Sequence, residues 1–330
     1  MVEKTYLDPS LKLRLATWAD LNAVAQLTHD VAEMEGDASF VLTAEELANE
    51  WKSEGFSVER DVFVVETHDG RIVGSEEFYN ETGHYKLKAD GCVHPEFRGL
   101  GIGTSLLEKI AERAQAEMEL AESDMRVFIQ STFNNKEEAG HILLRAEGYS
   151  PIRYFWRMEI KLQEAPPIVT FPDSIELRPF VKEEHATAIW QADNETFLDH
   201  WGSHEASYEE WSHRKFGNPN FDPTLWMVAW DGNEVAGFSQ NRYRKGMGWI
   251  GTIGVRRSWR KKGLGLALLK YSFGEFYKRG TTTIGLGVDA SNPTGATRLY
   301  QRAGMYAASE FVTYEKELRP GNTESNDSSR

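Results

Sequence analysis

The sequence predicts an α/β (α+β) fold that occurs twice, each copy being a mixed central sheet flanked by helices. Three observations support this prediction. The 330 residues suggest two domains at roughly 150 residues each. The chain is 40% hydrophobic, so each half has enough apolar side chains for a core of its own. Segments typical of strands and of amphipathic helices alternate through both halves in the same order.

The first half contains apolar and alternating segments bounded by turn residues. They predict five strands, at residues 12–16, 62–66, 72–79, 85–93 and 126–130. Apolar residues at helical spacing predict four helices, at residues 20–33, 44–52, 102–121 and 136–146.

The second half gives the same kinds of signal. Six strands are predicted, at residues 175–180, 225–230, 234–243, 249–255, 282–288 and 306–318. The turn Asp231-Gly232-Asn233 between the second and third of them is typical of a hairpin. Four helices are predicted, at residues 182–200, 208–215, 264–278 and 293–302. Pro293 suits the first turn of the last helix.

An internal repeat relates the two halves. Three short motifs recur in the same order, at offsets of 164, 162 and 156 residues. The repeated pairs are 13–15 with 177–179, 93–103 with 255–265, and 145–149 with 301–305. Loop-length differences explain such small changes in offset. We therefore expect two copies of one fold.

Composition marks the boundaries between the copies. Residues 163–174 include three prolines and predict an extended linker. The domains are expected at residues 1–162 and 175–318. Residues 319–330 are polar without apolar periodicity, which predicts a disordered tail.

The charge and cysteine content exclude several classes. With 51 acidic and 37 basic residues the net charge is −14, which argues against a nucleic-acid partner. No apolar run reaches the roughly 20 residues of a membrane span, and no signal segment begins the sequence. The single cysteine, Cys92, predicts a reducing, cytoplasmic location. The nine histidines show no metal-ligand spacing, so no metal is expected.

A glycine-rich motif stands between a predicted strand and a long helix in each half. The motifs read Arg98-Gly99-Leu100-Gly101-Ile102-Gly103 and Arg260-Lys261-Lys262-Gly263-Leu264-Gly265. The N–H groups at such a helix start bind anions, phosphate above all. Arg256 and Arg257 make the second copy strongly basic. A Rossmann motif would follow the first strand, and a P-loop would need Gly-Lys-Ser/Thr, so neither fits.

These motifs, with the stretch DASNPTGATRLYQRAGM at residues 289–305, resemble the GNAT superfamily of N-acetyltransferases. In that stretch Asn292, Leu299, Tyr300 and Gly304 match the family's later motif, and Met305 stands where phenylalanine is usual. The resemblance covers nearly all of both halves and implies two tandem GNAT-like domains. The tandem type is similar to mycothiol synthase.

The resemblance implies acetyl-CoA as the acyl donor and assigns roles by position. In the second half, residues Arg260 to Gly265 hold the pyrophosphate, Ile253-Gly254-Val255 pairs with pantetheine, and Asn292 lies near that arm. Tyr300 protonates the leaving CoA thiolate. In the first half, Val93 and residues Arg98 to Gly103 would hold the same cofactor.

The first half departs from the pattern at one position. When Gly148 is placed on Gly304, Leu144 stands where the second half has Tyr300. Leucine cannot donate a proton. We therefore expect the first half to bind acetyl-CoA but to be catalytically weak or inert, and the second half to be the enzyme.

The general base and the acceptor are less constrained. Asp289 is one candidate base, with the alternative that its carboxylate only favours a helix N-terminus. Glu205, His204, His200 and Asp199 fall in the expected acceptor loop, or are solvated surface. Where mycothiol synthases are expected to have a catalytic glutamate on the fourth strand, this chain has Met247 and Trp249.

The expected function is acetyl transfer from acetyl-CoA to a primary amine of a small molecule or peptide. The alternatives are the mycothiol synthase reaction itself and a non-catalytic acyl-CoA sensor. No nucleic-acid or membrane partner is expected, and the oligomeric state is left open.

Overall fold

The chain forms two compact units. The computed structural model describes residues 6–36, 41–198, 205–218, 220–292 and 295–321. The first unit comprises residues 1–154 and 310–330, and the second comprises residues 155–309. Each unit therefore has a sheet and a core that can be described separately.

The sheet of the first unit has six strands in the order β1-β2-β3-β4-β5-β12. They are β1 (Leu11–Leu15), β2 (Val62–Thr67), β3 (Ile72–Thr82), β4 (Lys86–Val93), β5 (Val127–Asn134) and the end of β12 (Tyr306–Arg319). All neighbours are antiparallel except β4 and β5, which are parallel. The unit is therefore a mixed sheet, as predicted.

Helices cover both faces of this sheet. They are α1 (Leu21–Met34), α2 (Ala44–Trp51), α3 (Val58–Asp61), α4 (Ile102–Met118) and α5 (Glu138–Ala146). Side chains of β2 alternate between the two faces. Val62 and Val64 pack with α1 and α2, whereas Phe63 and Val65 pack with α4. The unit thus has two apolar layers, one on each side of the strands.

The second unit repeats this arrangement, with the strand order β6-β11-β10-β9-β8-β7. Its strands are the end of β6 (Ser150–Lys161), β7 (Ile175–Pro179), β8 (Phe221–Asp231), β9 (Glu234–Arg244), β10 (Met247–Val255) and β11 (Thr283–Asp289). Its helices are α6 (Lys182–Phe197), α7 (Tyr208–Phe216), α8 (Leu264–Lys278) and α9 (Ala296–Arg302). β10 and β11 are the parallel pair.

The two units exchange their last strands. β6 begins in the first unit, but its residues 155–161 belong to the second, where they pair antiparallel with β11. β12 begins in the second unit, and its end pairs antiparallel with β5 in the first. Tyr314 of β12 and Met158 of β6 are fully buried in the cores they join. Each sheet is thus completed by a strand from the other copy.

The exchange makes the compact units differ from the contiguous ranges 1–162 and 175–318 expected from the repeat. Residues 163–174 contain neither helix nor strand. The expected tail at 319–330 starts one residue too early, because Arg319 is the last residue of β12. Its guanidinium donates from Nε to the carbonyl of Met125 at 3.2 Å.

The predicted elements are present, with changes at their ends. β6 and α3 were not predicted, and β8 begins at Phe221 instead of residue 225. The predicted helix at 182–200 ends at Phe197, and that at 293–302 begins at Ala296. Pro293 lies outside the described residues. None of the helices within the described ranges combines the length and apolarity that a bilayer crossing requires.

Candidate active site

The parallel strands of each unit diverge and leave an open cleft. In the second unit, β10 pairs with β11 only at Gly248 and Trp249. From there to Val255, β10 keeps its pairing with β9, and its other edge faces the cleft. A bulge interrupts the β9 register between Ile250 and Thr252. The predicted segment Ile253-Gly254-Val255 therefore lies along an open strand edge.

The first unit has the same divergence without the bulge. β4 pairs in parallel with β5 only from Lys86 to Lys88. Its antiparallel register with β3 is unbroken from Leu87 to Val93. The clefts are therefore similar in topology but differ in the strand that forms their wall.

Both glycine-rich loops have the same backbone conformation. Gly101 and Gly263 adopt left-handed φ values of 76° and 86° directly before α4 and α8. Lys261 is also left-handed, with φ 63°, where the first loop has Gly99 with φ 81°. A left-handed non-glycine residue costs roughly 1–2 kcal/mol. The second loop thus retains a lysine at a position that favours glycine.

The charges around the two loops differ strongly. Lys261 and Lys262 are exposed beside the second loop, and Arg260 donates from Nε to the carbonyl of Val255 at 3.0 Å. In the first loop Arg98 forms ion pairs with Glu35 and Glu137. Only the second loop therefore presents exposed positive charge beside its free N–H groups.

The last glycine of each motif lets a later helix pack closely on the loop. A Cβ at Gly103 would lie 2.7 Å from Leu143 Cδ2, and one at Gly265 would lie 3.3 Å from Leu299 Cδ1. The next residue in the chain is Leu144 in α5 and Tyr300 in α9. The structure therefore brings Leu144 and Tyr300 to equivalent positions, as predicted from the repeat.

Tyr300 is 8% exposed and packs in the apolar core of the second unit. Burial raises the pKa of its phenol to about 12. The hydroxyl therefore holds its proton at neutral pH, as a proton donor must.

The candidate bases are placed less favourably. The Asp289 carboxylate accepts from the backbone N–H of Ser291 at 2.8 Å, which holds the turn after β11. Asn292 belongs to the same turn and donates its N–H to the Asp289 carbonyl at 3.1 Å. Glu205 is exposed before α7. Asp199, His200 and His204 lie outside the described residues.

A small polar pocket lies beside the bulge of β10, and sequence reasoning did not find it. Its volume is about 40 Å³. The Lys215 ammonium of α7 donates to Gln240 Oε1 at 2.5 Å and to Thr252 Oγ1 at 2.8 Å, with Asp193 Oδ2 at 3.3 Å. Burial lowers the pKa of Lys215. Arg214 and Arg242 also line the pocket.

Gln240 lines this pocket with its side chain. Gln240 is 4% exposed, and its Nε2 has no hydrogen-bond partner among the described residues. A buried amide without a partner is costly and is expected to find one in a ligand or water. The pocket therefore has one donor, Gln240 Nε2, available for a polar group of a ligand or for water.

The first unit contains a larger cavity, of about 230 Å³. Most of the first-half residues predicted to bind acetyl-CoA line it: Val93, Arg98, Gly99, Gly101, Ile102 and Gly103. Leu144 and Glu76 line it as well, and Glu76 was not predicted. Across the described ranges, no group of three or more His, Cys, Asp or Glu side chains is arranged to hold a metal ion.

Comparison with known proteins agrees with the geometry of both clefts. Residues 186–305 match the model "Acetyltransferase (GNAT) family", and residues 59–151 match "Acetyltransferase (GNAT) domain". The mycothiol acetyltransferase of Streptomyces scabiei is 30% identical over 70% of this chain and 70% of its own. That of Arthrobacter sp. is 26% identical over 90% of this chain and 84% of its own.

Solved structures give the same result. A GCN5-related N-acetyltransferase from Sphaerobacter thermophilus is 34% identical, with a TM-score of 0.81, over 96% of this chain and 98% of its own. A tandem GNAT protein from the clavulanic acid pathway shares the fold at 16% identity, with a TM-score of 0.70, over 94% of this chain and 100% of its own. The chain therefore belongs to the GNAT family and is an N-acetyltransferase with two GNAT domains in tandem.

Proposed function

We propose that the second GNAT domain transfers an acetyl group from acetyl-CoA to a primary amine and that the first domain does not catalyse this reaction. One observation supports this most directly. Only the second domain places a buried phenol, Tyr300, on the helix that packs against its glycine-rich loop, and Leu144 stands in that place in the first.

The second cleft fits acetyl-CoA as the donor. The first N–H groups of α8, after Gly263, lack partners within the helix and point at the pyrophosphate position. Lys261 and Lys262 add positive charge there. Pantetheine would extend along the open edge of β10 as an added strand. A backbone N–H near the bulge would then stabilise the oxyanion that forms on the thioester carbonyl.

The reaction follows from these positions. The neutral amine attacks the thioester carbonyl carbon, and a C–N bond forms while the carbonyl oxygen becomes negative. The intermediate collapses, the C–S bond breaks, and Tyr300 gives its proton to the leaving sulfur. The nitrogen loses one proton to water, and the phenolate of Tyr300 regains one from water. The products are the amide and CoA.

The acceptor is expected to carry an anionic or hydrogen-bond-accepting group near its amine. The charged residues that line the pocket beside the bulge include Arg214, Lys215 and Arg242, all cationic. The Gln240 amide adds a donor without a partner among the described residues. A carboxylate or a cluster of hydroxyl groups can accept from the Gln240 amide. The three cations outnumber the one carboxylate beside Lys215, that of Asp193, so an anion is attracted and a polyamine would be repelled.

The proposed function is tested by steady-state release of CoA thiol with a panel of amines: α-amino acids, amino sugars, polyamines and the unacetylated precursor of mycothiol. Turnover with an amine that bears acceptor groups supports the proposal. The mycothiol reaction is the second candidate, favoured by the names of the relatives, and activity confined to that precursor would select it. Binding of acetyl-CoA without turnover on any amine would contradict both.

Replacing Lys215 by methionine should weaken selection for an acidic acceptor. Hydrogen bonds to charged groups contribute about 1.5–3 kcal/mol, so KM for an α-amino acid should rise about 10- to 100-fold. For the amine that lacks the carboxylate, KM should change little. The measurement is the ratio of kcat/KM for the two amines in wild type and Lys215→Met. An equal loss with both amines would show that Lys215 only supports the fold.

Replacing Lys261 by glycine should separate backbone strain from charge. Glycine relieves the backbone strain of Lys261 and so stabilises the folded state. Its greater conformational freedom in the unfolded chain offsets part of this gain, so the unfolding midpoint should rise by about 1–3 °C. Loss of an exposed cation at the phosphate should raise KM for acetyl-CoA about two- to fivefold. Lys261→Arg is the control, because it keeps the charge and the strain and should keep KM. An unchanged KM in Lys261→Gly would exclude a phosphate contact.

A further inference from the structure

The cavity of the first domain has apolar walls and one unusual carboxylate. It lies between the diverging strands β4 and β5, the first turn of α4 and helix α5. Apolar side chains form much of its wall: Ile102, Leu107, Phe133, Leu143 and Leu144. A volume of about 230 Å³ accommodates a small organic ligand.

Glu76 of β3 lines this cavity, and its carboxylate has no partner among the described residues. It is 8% exposed, and no described residue forms a hydrogen bond or an ion pair with its carboxylate. The carboxylate lies against Gly91, where a Cβ would be 2.0 Å from Oε2. Only glycine leaves room for it. A buried carboxylate without a partner is costly, so its retention in a cavity points to a ligand.

This arrangement belongs to the first domain alone. Glu76 and Gly91 are cross-strand partners in the β3–β4 register. The corresponding partners in the second domain are Ser239 and Ile253. Ile253 lies on the strand edge that we assign to pantetheine. In the first domain the carboxylate of Glu76 therefore extends over the same place in the cleft.

The charges near the cavity oppose an anion. The cation Arg98, on the cavity wall, is bound by Glu35 and Glu137. The phosphates of CoA would have to displace these carboxylates, and they would meet no exposed lysine comparable with Lys261. The electrostatic potential of the carboxylates near the cavity instead favours binding of a positively charged group.

We propose that the cavity of the first domain binds a primary ammonium ion with an apolar body, with Glu76 as its counter-ion, and does not bind acetyl-CoA. The ammonium would donate to the Glu76 carboxylate over Gly91. The apolar body would pack against Phe133, Leu143 and Leu144. The inference concerns binding only and does not depend on turnover in the second domain.

Proton release accompanies this binding. Burial, together with Asp90, Glu77 and Glu137, raises the pKa of Glu76 well above its ordinary value. The carboxyl of the empty cavity therefore keeps its proton to a higher pH than an exposed glutamate does. An ammonium ion favours the ionised form, so binding lowers the pKa and releases a proton. Affinity should consequently increase with pH until Glu76 ionises in the empty protein. Cys92 and Tyr149 also lie close enough to interact with this carboxyl, and Arg98 lines the same cavity.

Calorimetric titration of the full chain with n-hexylammonium tests the proposal. One site is expected, with binding at least about tenfold weaker for the neutral isostere 1-hexanol. Titrations in two buffers of different ionisation enthalpy should show that binding releases protons. Glu76→Gln should weaken n-hexylammonium binding at least about tenfold and remove the proton release. Glu77→Gln is the matched control, because Glu77 is the next residue in β3, bonds to Trp51 and Tyr79, and should bind as wild type does.

Titration with CoA supplies the opposing result. One CoA per chain is expected, in the second domain. A second CoA site that Gly99→Glu abolishes would overturn the proposal, and so would unchanged n-hexylammonium binding in Glu76→Gln. If Glu76→Gln does not fold, Leu144→Phe fills the cavity and should block n-hexylammonium binding, and retained binding in that variant would equally overturn it.

Discussion

Tyr300→Phe should lower kcat about 10²- to 10⁴-fold and leave the Kd for acetyl-CoA within about twofold of wild type. General acid catalysis by a positioned group contributes on this scale. The substitution removes one oxygen from a side chain that is 8% exposed in an apolar core, so packing is preserved. Acid catalysis is expressed only in the transition state, and binding of the donor should therefore be unaffected.

Tyr149→Phe is the matched control for this prediction. Tyr149 is also a buried phenol, in the first domain, and burial raises its pKa as well. It lies in the core next to β12 and should tolerate the change without loss of turnover. Full activity in Tyr300→Phe would remove this residue from the mechanism. An equal loss in both variants would show that the effect is structural.

Gly263→Glu should abolish acetyl transfer, with a loss of kcat/KM of at least about 100-fold. The new side chain places a carboxylate at the helix start that receives the pyrophosphate, and it must adopt the left-handed conformation of Gly263, with φ 86°. Nothing lies within 4 Å of a Cβ at this position. The fold should therefore survive while donor binding is lost. The checks are KM for acetyl-CoA and a thermal unfolding midpoint.

Gly280→Glu is the control for the backbone part of this effect. Gly280 also has a left-handed φ, of 82°, with open space around its Cβ position, and it lies after α8. This variant should show the same strain and keep its activity. Loss of turnover in Gly99→Glu but not in Gly263→Glu would place the chemistry in the first domain and contradict the proposed function.

Local motifs explain which parts of the site are predictable from sequence. The conformation of each glycine-rich loop depends on residues that are adjacent in the chain. The glycines that adopt left-handed φ values can therefore be identified directly in the sequence. The equivalence of Leu144 and Tyr300 follows from the repeat, because each stands after a leucine that packs on the last glycine of the motif. The GNAT fold could therefore be expected from sequence, and the comparisons confirm it.

The pocket around Lys215 could not be predicted in the same way. Lys215 reaches Gln240 and Thr252, which are 25 and 37 residues away. Its position in α7 resembles that of any polar helical residue. Only the strand register, with Gln240 opposite Thr252, gathers these side chains.

Glu76 was missed for a related reason. It lies in a buried stretch of β3, and its neighbour Glu77 has ordinary hydrogen-bonding partners. The feature that marks the site is the pairing of Glu76 with Gly91 across two strands. This pairing is known only once the register of β3 and β4 is known. The strand exchange could not be predicted from the sequence, because β6 and β12 stand at equivalent positions of the repeat.

The exchange of β6 and β12 bears on how the protein is made. Synthesis proceeds from the N-terminus, and domains usually fold in that order. Here the first sheet needs residues 310–319 to cover β5. It therefore stays incomplete until residue 319 has left the ribosome. The second domain, in contrast, has its borrowed strand from the outset, because residues 155–161 precede it. The domain with the proposed proton donor, Tyr300, can thus complete its sheet first, although it follows the first domain in the chain.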